Sequence, residues 1–173
     1  MRLYRTANRT YAGATETDLA DAAVIELLAV HDMFKRELQK LAEFVENLLD
    51  AQGTLPQDQV SRHIQMLAQA MYQYTSALHA HHGGETEAVF PALEPLGLET
   101  EIVERLNREH EDLAELLDRL DGALDLRGTE LDSAVQRDLE RLAKLLRDHL
   151  DYEEEHVCPL LPKLGGWPEG IQE

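Results

Sequence analysis

Apolar residues recur three and four positions apart along four long segments of this 173-residue chain. That spacing places them on one face of an α-helix, whereas the strict alternation typical of half-buried strands does not occur. Four amphipathic helices joined by short links bury their apolar faces most simply as an up-down-up-down four-helix bundle, so an all-α fold is predicted. The apolar faces comprise Leu27, Phe34, Leu38, Leu41, Val45 and Leu48; Val60, Ile64, Leu67, Met71, Tyr74, Leu78, Ala88 and Ala92; Leu106, Leu113, Leu117 and Leu120; and Leu131, Val135, Leu139, Leu142 and Leu146.

Prolines, glycines and capping residues mark where the helices are expected to begin and end. The bundle is predicted to span residues 17–163, with an N-terminal arm at 1–16 and a C-terminal tail at 164–173, in which Trp167 docks on the bundle. Pro91 is expected to disturb the last turn of the second helix. The expected helices run from a cap at Thr15 or Thr17 to about Ala51, from after Pro56 to about Leu93, from about Glu99 to Leu124, and from about Glu130, capped by Thr129, to Cys158.

The chain is strongly acidic, with a formal net charge of −18 at pH 7. Nucleic acids and anionic membranes repel such a surface, so neither is expected as a partner. The single cysteine, Cys158, cannot form an intramolecular disulfide, which fits a reducing compartment. We expect neither a secretory leader nor a membrane span, because the apolar run from Ala22 to Val30 contains Glu26 and is too short to cross a bilayer. A cytoplasmic location is predicted.

Polar residues interrupt each apolar face at positions where the spacing predicts an apolar side chain. The interruptions are imidazoles and carboxylates, and every helix contributes at least one. An unpaired buried polar group costs roughly 2–7 kcal/mol, so several together would outweigh a typical net stability of about 5–15 kcal/mol. A bound cation satisfies such a cluster better than ion pairs alone. The predicted metal ligands are His31, His81, Glu85, His110, His149 and Glu153.

Two pairs among these residues are spaced four apart, His81 with Glu85 and His149 with Glu153. Residues at this spacing project side by side from one helix face. Imidazole nitrogen and carboxylate oxygen together suit iron, zinc or manganese. Because a carboxylate can bridge two ions, two carboxylates and four imidazoles fit a dinuclear centre better than a mononuclear one. The segments HHGGETEAVFP and HLDYEEEHVCP share the pattern H-x3-E-x5-P, an internal repeat that supports the pairing.

In the order of these residues the sequence resembles the hemerythrin-like, or HHE cation-binding, proteins. Their pattern is a lone histidine, an H-x3-E pair, a second lone histidine and another H-x3-E pair, one element per helix, and it recurs here over about residues 17–163. The resemblance implies a bundle that holds two non-haem iron ions joined by an oxo or hydroxo bridge. It also implies that Glu85 and Glu153 bridge the two irons.

Two departures from the oxygen-carrying hemerythrins bear on function. Those proteins have a further histidine one turn after the lone histidine of the third helix, where this chain has Ala114, and they use a longer H-x4-D step on the last helix. One iron then keeps a position open to an exogenous ligand. The resemblance therefore implies a protein that reacts with hydrogen peroxide, dioxygen or nitric oxide, as a catalase-like enzyme or in oxidative and nitrosative stress. The alternative is a non-catalytic module that binds or senses oxygen or iron.

Three further residues are candidates for an additional or supporting role. Tyr74 and His156 each lie seven residues, about two helical turns, from a predicted ligand on the same face. His156 is also a candidate for the position that Ala114 leaves open. His82 is offset by about 100° from His81 and is expected on a flank of the helix, with contact to a carboxylate as the alternative.

Gly83 and Gly84 stand between the first histidine and glutamate pair, where each costs about 0.5–1 kcal/mol relative to alanine. Under one interpretation they leave space beside the centre or let the helix distort, and under the other they face a tightly packed helix or solvent. Glu154 and Glu155 are expected to be solvated. Cys158 is expected to pack in the core, since it aligns with a phenylalanine in the repeat.

Overall fold

The computed structural model describes residues 16–125 and 131–168, and the regular elements in these ranges are all helical. A π-helical turn at Glu85–Val89 joins α2 to α3 directly, and 3-10 turns occupy Glu94–Leu96 and Leu161–Leu164. The α-helices are α1 (Glu16–Ala51), α2 (Gln57–Gly84), α3 (Phe90–Leu93), α4 (Thr100–Asp125) and α5 (Ser133–Val157).

The long helices α1, α2, α4 and α5 form a four-helix bundle. α1 packs against α2 and α5, and α4 packs against the same two helices. Each long helix therefore lies beside the long helices that precede and follow it in the chain, as short links between antiparallel helices require. The prediction of an all-α bundle is confirmed.

Two apolar clusters fill the interior of the bundle, and the polar interruptions lie between them. Along every long helix, the polar residues have an apolar residue of the first cluster on one side and an apolar residue of the second cluster on the other. The polar residues thus form a layer across the bundle with apolar packing on both sides. The flanking pairs are Phe34 and Leu27 on α1, Leu78 and Val89 along α2 and its π turn, Leu113 and Leu106 on α4, and Leu146 and Val157 on α5.

The predicted apolar faces are buried except at Ala88 and Ala92, which are half-buried. The π turn explains this difference. The N–H of Phe90 bonds to the carbonyl of Glu85, five residues earlier, so the turn holds one residue more than an α-turn and shifts the buried face. Pro91, which lacks an N–H and would clash with the carbonyl four residues earlier, disturbs the turn before it. The buried positions after the shift are Val89, Phe90 and Leu93.

α2 begins directly after Pro56 as predicted, whereas the start of α5 differs from the sequence prediction. Thr17 lies within α1 and is not a cap, and Thr15 is outside the described residues. α5 begins at Ser133, later than expected, because Asp132 is its cap: the carboxylate accepts a hydrogen bond of 2.9 Å from the N–H of Ala134. Thr129, the cap predicted for this helix, also falls outside the described residues.

Trp167 packs on the bundle as predicted. The Nε1–H of Trp167 donates a hydrogen bond of 2.7 Å to Oε2 of Glu26, and the 3-10 turn Leu161–Leu164 packs on α1. Cys158 packs against the second apolar cluster, and burial raises the pKa of its thiol to about 11. In the described ranges, no helix is long and apolar enough to cross a membrane.

Candidate metal centre

Histidine and glutamate side chains from all four long helices and the π turn meet between the two apolar clusters. They form two groups, and within each group one nitrogen or oxygen atom from every residue lies within 4.8 Å of the others. All six residues predicted as metal ligands are present, together with one further histidine. The mixed group consists of His31, His81, Glu85 and Glu153, and the imidazole group consists of His82, His110 and His149.

The two glutamates belong to the mixed group and also lie near histidines of the imidazole group. Each carboxylate faces an imidazole from its own helical segment and another from a different helix. Ligand atoms bound at right angles to one ion, with bonds of about 2.1 Å, lie about 3.0 Å apart, and those at opposite positions lie about 4.2 Å apart. The observed separations fall in this range: Glu85 Oε1 to His81 Nε2 2.9 Å, Glu85 Oε2 to His110 Nε2 3.5 Å, Glu153 Oε2 to His31 Nε2 3.5 Å, and Glu153 Oε2 to His149 Nε2 3.7 Å.

The inward-facing atoms of this layer have no hydrogen-bond partners. Of the eleven buried side-chain nitrogen and oxygen atoms without a partner in the described part of the chain, nine belong to the two groups. They are the Nε2 atoms of all five histidines and both oxygens of each glutamate. Nε2 of His81 and Oε1 of Glu85 are 2.9 Å apart, but this contact does not have hydrogen-bond geometry. Both atoms are therefore counted among those without a partner. Each unsatisfied group costs about 1–3 kcal/mol.

Carboxylates hold the outward nitrogens of two of these histidines. Nδ1 of His31 lies 2.9 Å from Oε1 of Glu154, and Nδ1 of His149 lies 3.0 Å from Oε2 of Glu109. An ionised carboxylate only accepts hydrogen bonds, so Nδ1 carries the proton in both rings. With the proton on Nδ1, each ring can offer the lone pair of Nε2, which points into the layer, as in metal-binding histidines.

A hydroxyl holds the third such ring. The hydroxyl of Thr86 donates to Oδ1 of Asn107 at 2.9 Å, and its oxygen lies 3.2 Å from Nδ1 of His110. Because the Thr86 proton is used by Asn107, the hydroxyl oxygen is free to accept from Nδ1–H of His110. Nε2 of this ring also keeps its lone pair for the interior.

Each of the two supporting carboxylates also contacts a cation. Lys35 Nζ lies 3.3 Å from Oε1 of Glu154, and Nε of Arg105 lies 2.7 Å from Oε1 of Glu109. Partial burial alone would raise the pKa of Glu109, but the hydrogen bonds from His149 and Arg105 outweigh it and lower the pKa. Glu109 therefore stays ionised and able to accept the Nδ1 proton.

Burial disfavours charge within the layer. It raises the pKa of Glu85 to about 8 and that of Glu153 well above its ordinary value, the latter with a contribution from the charge on Glu85. It lowers the pKa values of His31 and His110 to about 2, with help from neighbouring imidazoles. Burial thus favours the neutral forms of these four side chains, whereas a bound cation would stabilise the ionised form of the two carboxyl groups. This donor set fits a bound metal ion.

The position of His82 corrects the prediction that it lies on a flank. His82 is only 5% exposed. Its ring stacks on that of His110, with centroids 4.0 Å apart and planes 8° apart, and its centroid is 5.2 Å from that of His149. A signal for this was present in the sequence, because His82 is four residues after Leu78 and three before Glu85 and so lies on the same buried face.

The supporting residues were not recognised from the sequence. Glu154 was expected to be solvated, but its side chain is 25% exposed and is tied to His31 and Lys35, so that prediction was wrong. Glu109 and Thr86 were not predicted to have a role. All three supporting residues directly adjoin a predicted ligand in the sequence, which is the signal that was available.

Tyr74 and His156 do not join either group. The hydroxyl of Tyr74 donates to the carbonyl of Phe34 at 3.3 Å, and the Phe34 ring lies against His81 with centroids 5.2 Å apart. Nδ1 of His156 lies 2.8 Å from the carbonyl oxygen of Tyr152, to which it donates, and the two rings are 4.1 Å apart. Tyr74 is therefore a core residue, and His156, a candidate for the position that Ala114 leaves open, lies in neither group.

The two glycines of α2 are half-buried, and a Cβ atom added to either would meet no atom within 4 Å. The interpretation that Gly83 and Gly84 face a tightly packed helix is therefore wrong. The open space beside both glycines fits the interpretation that they face solvent, and the π turn begins directly after them at Glu85, where Gly84 itself keeps ordinary helical angles.

The protein is therefore a cation-binding helical bundle, in which histidines from every long helix and glutamates from the π turn and α5 meet in one layer. The chain belongs to the hemerythrin family: the model described as hemerythrin HHE cation binding domain matches residues 22–161. No curated protein and no solved structure matches the chain at a significant level.

Proposed function

We propose that this protein holds two iron ions in the layer and uses them to decompose hydrogen peroxide, with dioxygen and nitric oxide as further ligands. The observation that carries the proposal is the set of nine buried donor atoms without partners. Five imidazole nitrogens and four carboxylate oxygens exceed what one octahedral ion accepts, so a pair of ions fits them better. Iron accepts this mixture of nitrogen and oxygen ligands.

The residues divide between the two ions by their contacts. His31 and His81 belong to the mixed group, whereas His110 and His149 belong to the imidazole group. Each carboxylate oxygen of Glu85 lies near a histidine of a different group. A single oxygen of Glu153, Oε2, lies near one histidine of each group. In this proposal the two carboxylates would be shared between the ions. Counting only the six predicted ligands, each ion would have four protein residues, so neither set of six ligands would be complete and a small ligand could bind.

The surroundings of the layer favour small uncharged ligands. The ring of Phe34 lies 5.2 Å from that of His81 on one side, and the ring of Phe90 lies 5.8 Å from that of His110 on the other. Apolar packing on both sides excludes bulk water and disfavours charged substrates. Hydrogen peroxide, dioxygen and nitric oxide are all small and uncharged at neutral pH.

When bound, two iron ions supply reversible redox changes that take two electrons from one peroxide molecule and pass them to a second, giving two waters and one dioxygen. The protein's part is to hold the ligands. Glu154, Glu109 and Thr86 keep the protons of three imidazoles on Nδ1, so that the Nε2 atoms face inward. Buried carboxylates supply negative charge that balances the cations.

The test is to load the metal-free protein with ferrous iron under anaerobic conditions and count iron by mass spectrometry. Peroxide is then added while released dioxygen is measured with an electrode. We expect two irons per chain and one dioxygen for every two peroxides over many turnovers. Glu153→Gln is expected to lose iron and turnover, whereas Glu155→Gln, at an exposed position on the same helix, keeps both. Failure to bind iron, or turnover no faster than free iron gives, would contradict the proposal.

The same experiment separates the enzyme from the alternative function. A module that only binds or senses oxygen would form a stable coloured complex with dioxygen and would not turn over peroxide. Iron bound at two per chain with that result would support the sensing or binding function in place of the enzyme.

The proposal includes a cytoplasmic location and the absence of nucleic acid or membrane partners. The net charge of −18 disfavours both partners, and a single thiol, Cys158, suits a reducing compartment.

A further inference from the structure

We propose that His82 is a seventh metal ligand, which supplies a third imidazole to the ion bound by His110 and His149. It takes the place for which Ala114, one turn after His110 on α4, has no donor atom. This inference rests on the proposed two-ion centre and decides how its ligands are shared.

The first support is the state of the His82 side chain. The residue is 5% exposed, and its Nε2 atom is buried without a hydrogen-bond partner. The Nε2 atoms of the four predicted histidine ligands are in the same state. A histidine buried only for packing is expected to find a partner for its polar atoms, as buried polar groups generally do.

The second support is where the ring lies. A ligand atom of His82 is within 4.8 Å of those of His110 and His149, which come from two other helices. Two donors on opposite sides of one ion lie about 4.2 Å apart and neighbouring donors lie closer, so separations of at most 4.8 Å are near those that a shared ion would require. The three rings are in mutual contact, with centroid separations of 4.0, 5.2 and 4.8 Å.

Stacking does not account for this arrangement. Parallel contact with the ring of His110 buries the face of the His82 imidazole but gives its Nε2 atom no partner. An apolar side chain at this position would pack without leaving a polar atom unsatisfied. A cation shared by the three rings satisfies all three Nε2 atoms at once.

A seventh ligand makes the two ion sites unequal. The site of His82, His110 and His149 has three imidazoles, whereas the site of His31 and His81 has two. With the two carboxylates shared, the first has five protein ligands and the second has four. The position open to an exogenous ligand would then lie mainly on the ion of the mixed group, whose His81 ring is 5.2 Å from the ring of Phe34. Without His82, the missing donor at Ala114 would instead place the open position on the ion of His110 and His149.

The test compares His82→Ala and His82→Gln with two histidine controls. His79→Ala removes an exposed histidine from the same helix, and His156→Ala removes a half-buried histidine that lies in neither group. Ferrous iron and, separately, zinc are titrated into each full-length metal-free protein. Bound metal is counted by mass spectrometry, and the two binding constants are measured by calorimetry. Circular dichroism of the metal-free proteins checks that each variant is folded.

We expect two ions in the wild type and in both controls. Both His82 variants are expected to keep one tightly bound ion and to bind the second at least about tenfold more weakly, since even residues that only orient ligands change affinity by about 10–100-fold. Two ions with unchanged constants in the His82 variants would overturn the inference and leave the proposed centre standing. A wild type that binds no metal would instead refute the proposed function.

A second measurement needs no variant and remains decisive if the variants do not fold. In the zinc-loaded wild type, nitrogen chemical shifts of the imidazole rings are recorded by NMR. A metal-bound shift at Nε2 of His82, matching that of His110, is expected. Metal-bound shifts at His110 and His149 with a free imidazole at His82 would overturn the inference.

Discussion

Nδ1 of His31 on α1 lies 2.9 Å from Oε1 of Glu154 on α5, and this contact joins the first and last long helices of the bundle. Glu109 holds His149 in the same way at 3.0 Å. The metal layer is therefore supported by hydrogen bonds between helices as well as by apolar packing.

Replacing Glu154 by alanine is expected to weaken metal binding by about 10–100-fold, because the His31 ring loses the acceptor that keeps its proton on Nδ1. Competition with a coloured chelator measures the affinity. Glu155→Ala, at the exposed neighbouring position, is the control and is expected to bind as the wild type does. Equal affinities in the two variants would show that the contact does not orient the imidazole.

Replacing Glu153 by leucine is expected to have opposite effects on the metal-free and metal-loaded proteins. The carboxyl is fully buried, and neither oxygen has a partner, so its loss should stabilise the metal-free protein by about 1–3 kcal/mol. The variant should also lose the stabilisation by metal, which in the wild type reaches about 4 kcal/mol at a metal concentration one thousand times Kd. Urea unfolding with and without a chelator measures both quantities. A metal-free variant less stable than the wild type would show that Glu153 is satisfied without metal.

Metal binding is expected to release protons below about pH 8. Burial raises the pKa of Glu85 from 4.5 to about 8, so the carboxyl is protonated in the metal-free protein at pH 7, and a cation must displace that proton. His31, with a pKa of about 2, is already neutral and releases none. Metal affinity should therefore rise with pH up to at least about 8, because below that pH the cation must displace the proton of Glu85. Calorimetry in two buffers of different ionisation enthalpy counts the protons, and a pH-independent affinity would contradict the expectation.

The same pKa shift affects the stability of the metal-free protein. Because the folded pKa of Glu85 lies above the unfolded value of 4.5, its stabilising contribution is full below pH 4.5 and is lost as the pH rises through about 8. The metal-loaded protein, with Glu85 ionised, should lack this loss. Thermal melts of both forms across this range test the difference.

Replacing Gly83 and Gly84 by alanine is expected to stabilise the fold by about 0.5–1 kcal/mol for each glycine. The added methyl groups meet no atom within 4 Å, so they cause no clash. Iron content should stay at the wild-type level. Reduced iron content in a stable double variant would show that the glycines are needed for the π turn that carries Glu85.

Much of the fold followed from the sequence because helical periodicity is a local property. The apolar faces of α1, α4 and α5 are buried where the spacing predicted, and all six predicted ligands meet in one layer. For α2, the predicted apolar face agrees with the buried positions only up to Glu85. Beyond it, the π turn shifted the buried positions from Ala88 and Ala92 to their neighbours, since a strict helical period cannot anticipate an extra residue in one turn.

The sequence by itself determined that four amphipathic helices would each bring imidazole or carboxylate groups to the interior, because burial of an apolar face carries along the polar residues within it. Only the tertiary structure decided which of two adjacent histidines, His81 and His82, entered the layer, and the answer was both. It also decided that Glu154 and Glu109 would orient histidines of other helices. Such contacts depend on how the helices are rotated and aligned against each other, and spacing within one helix does not contain that information.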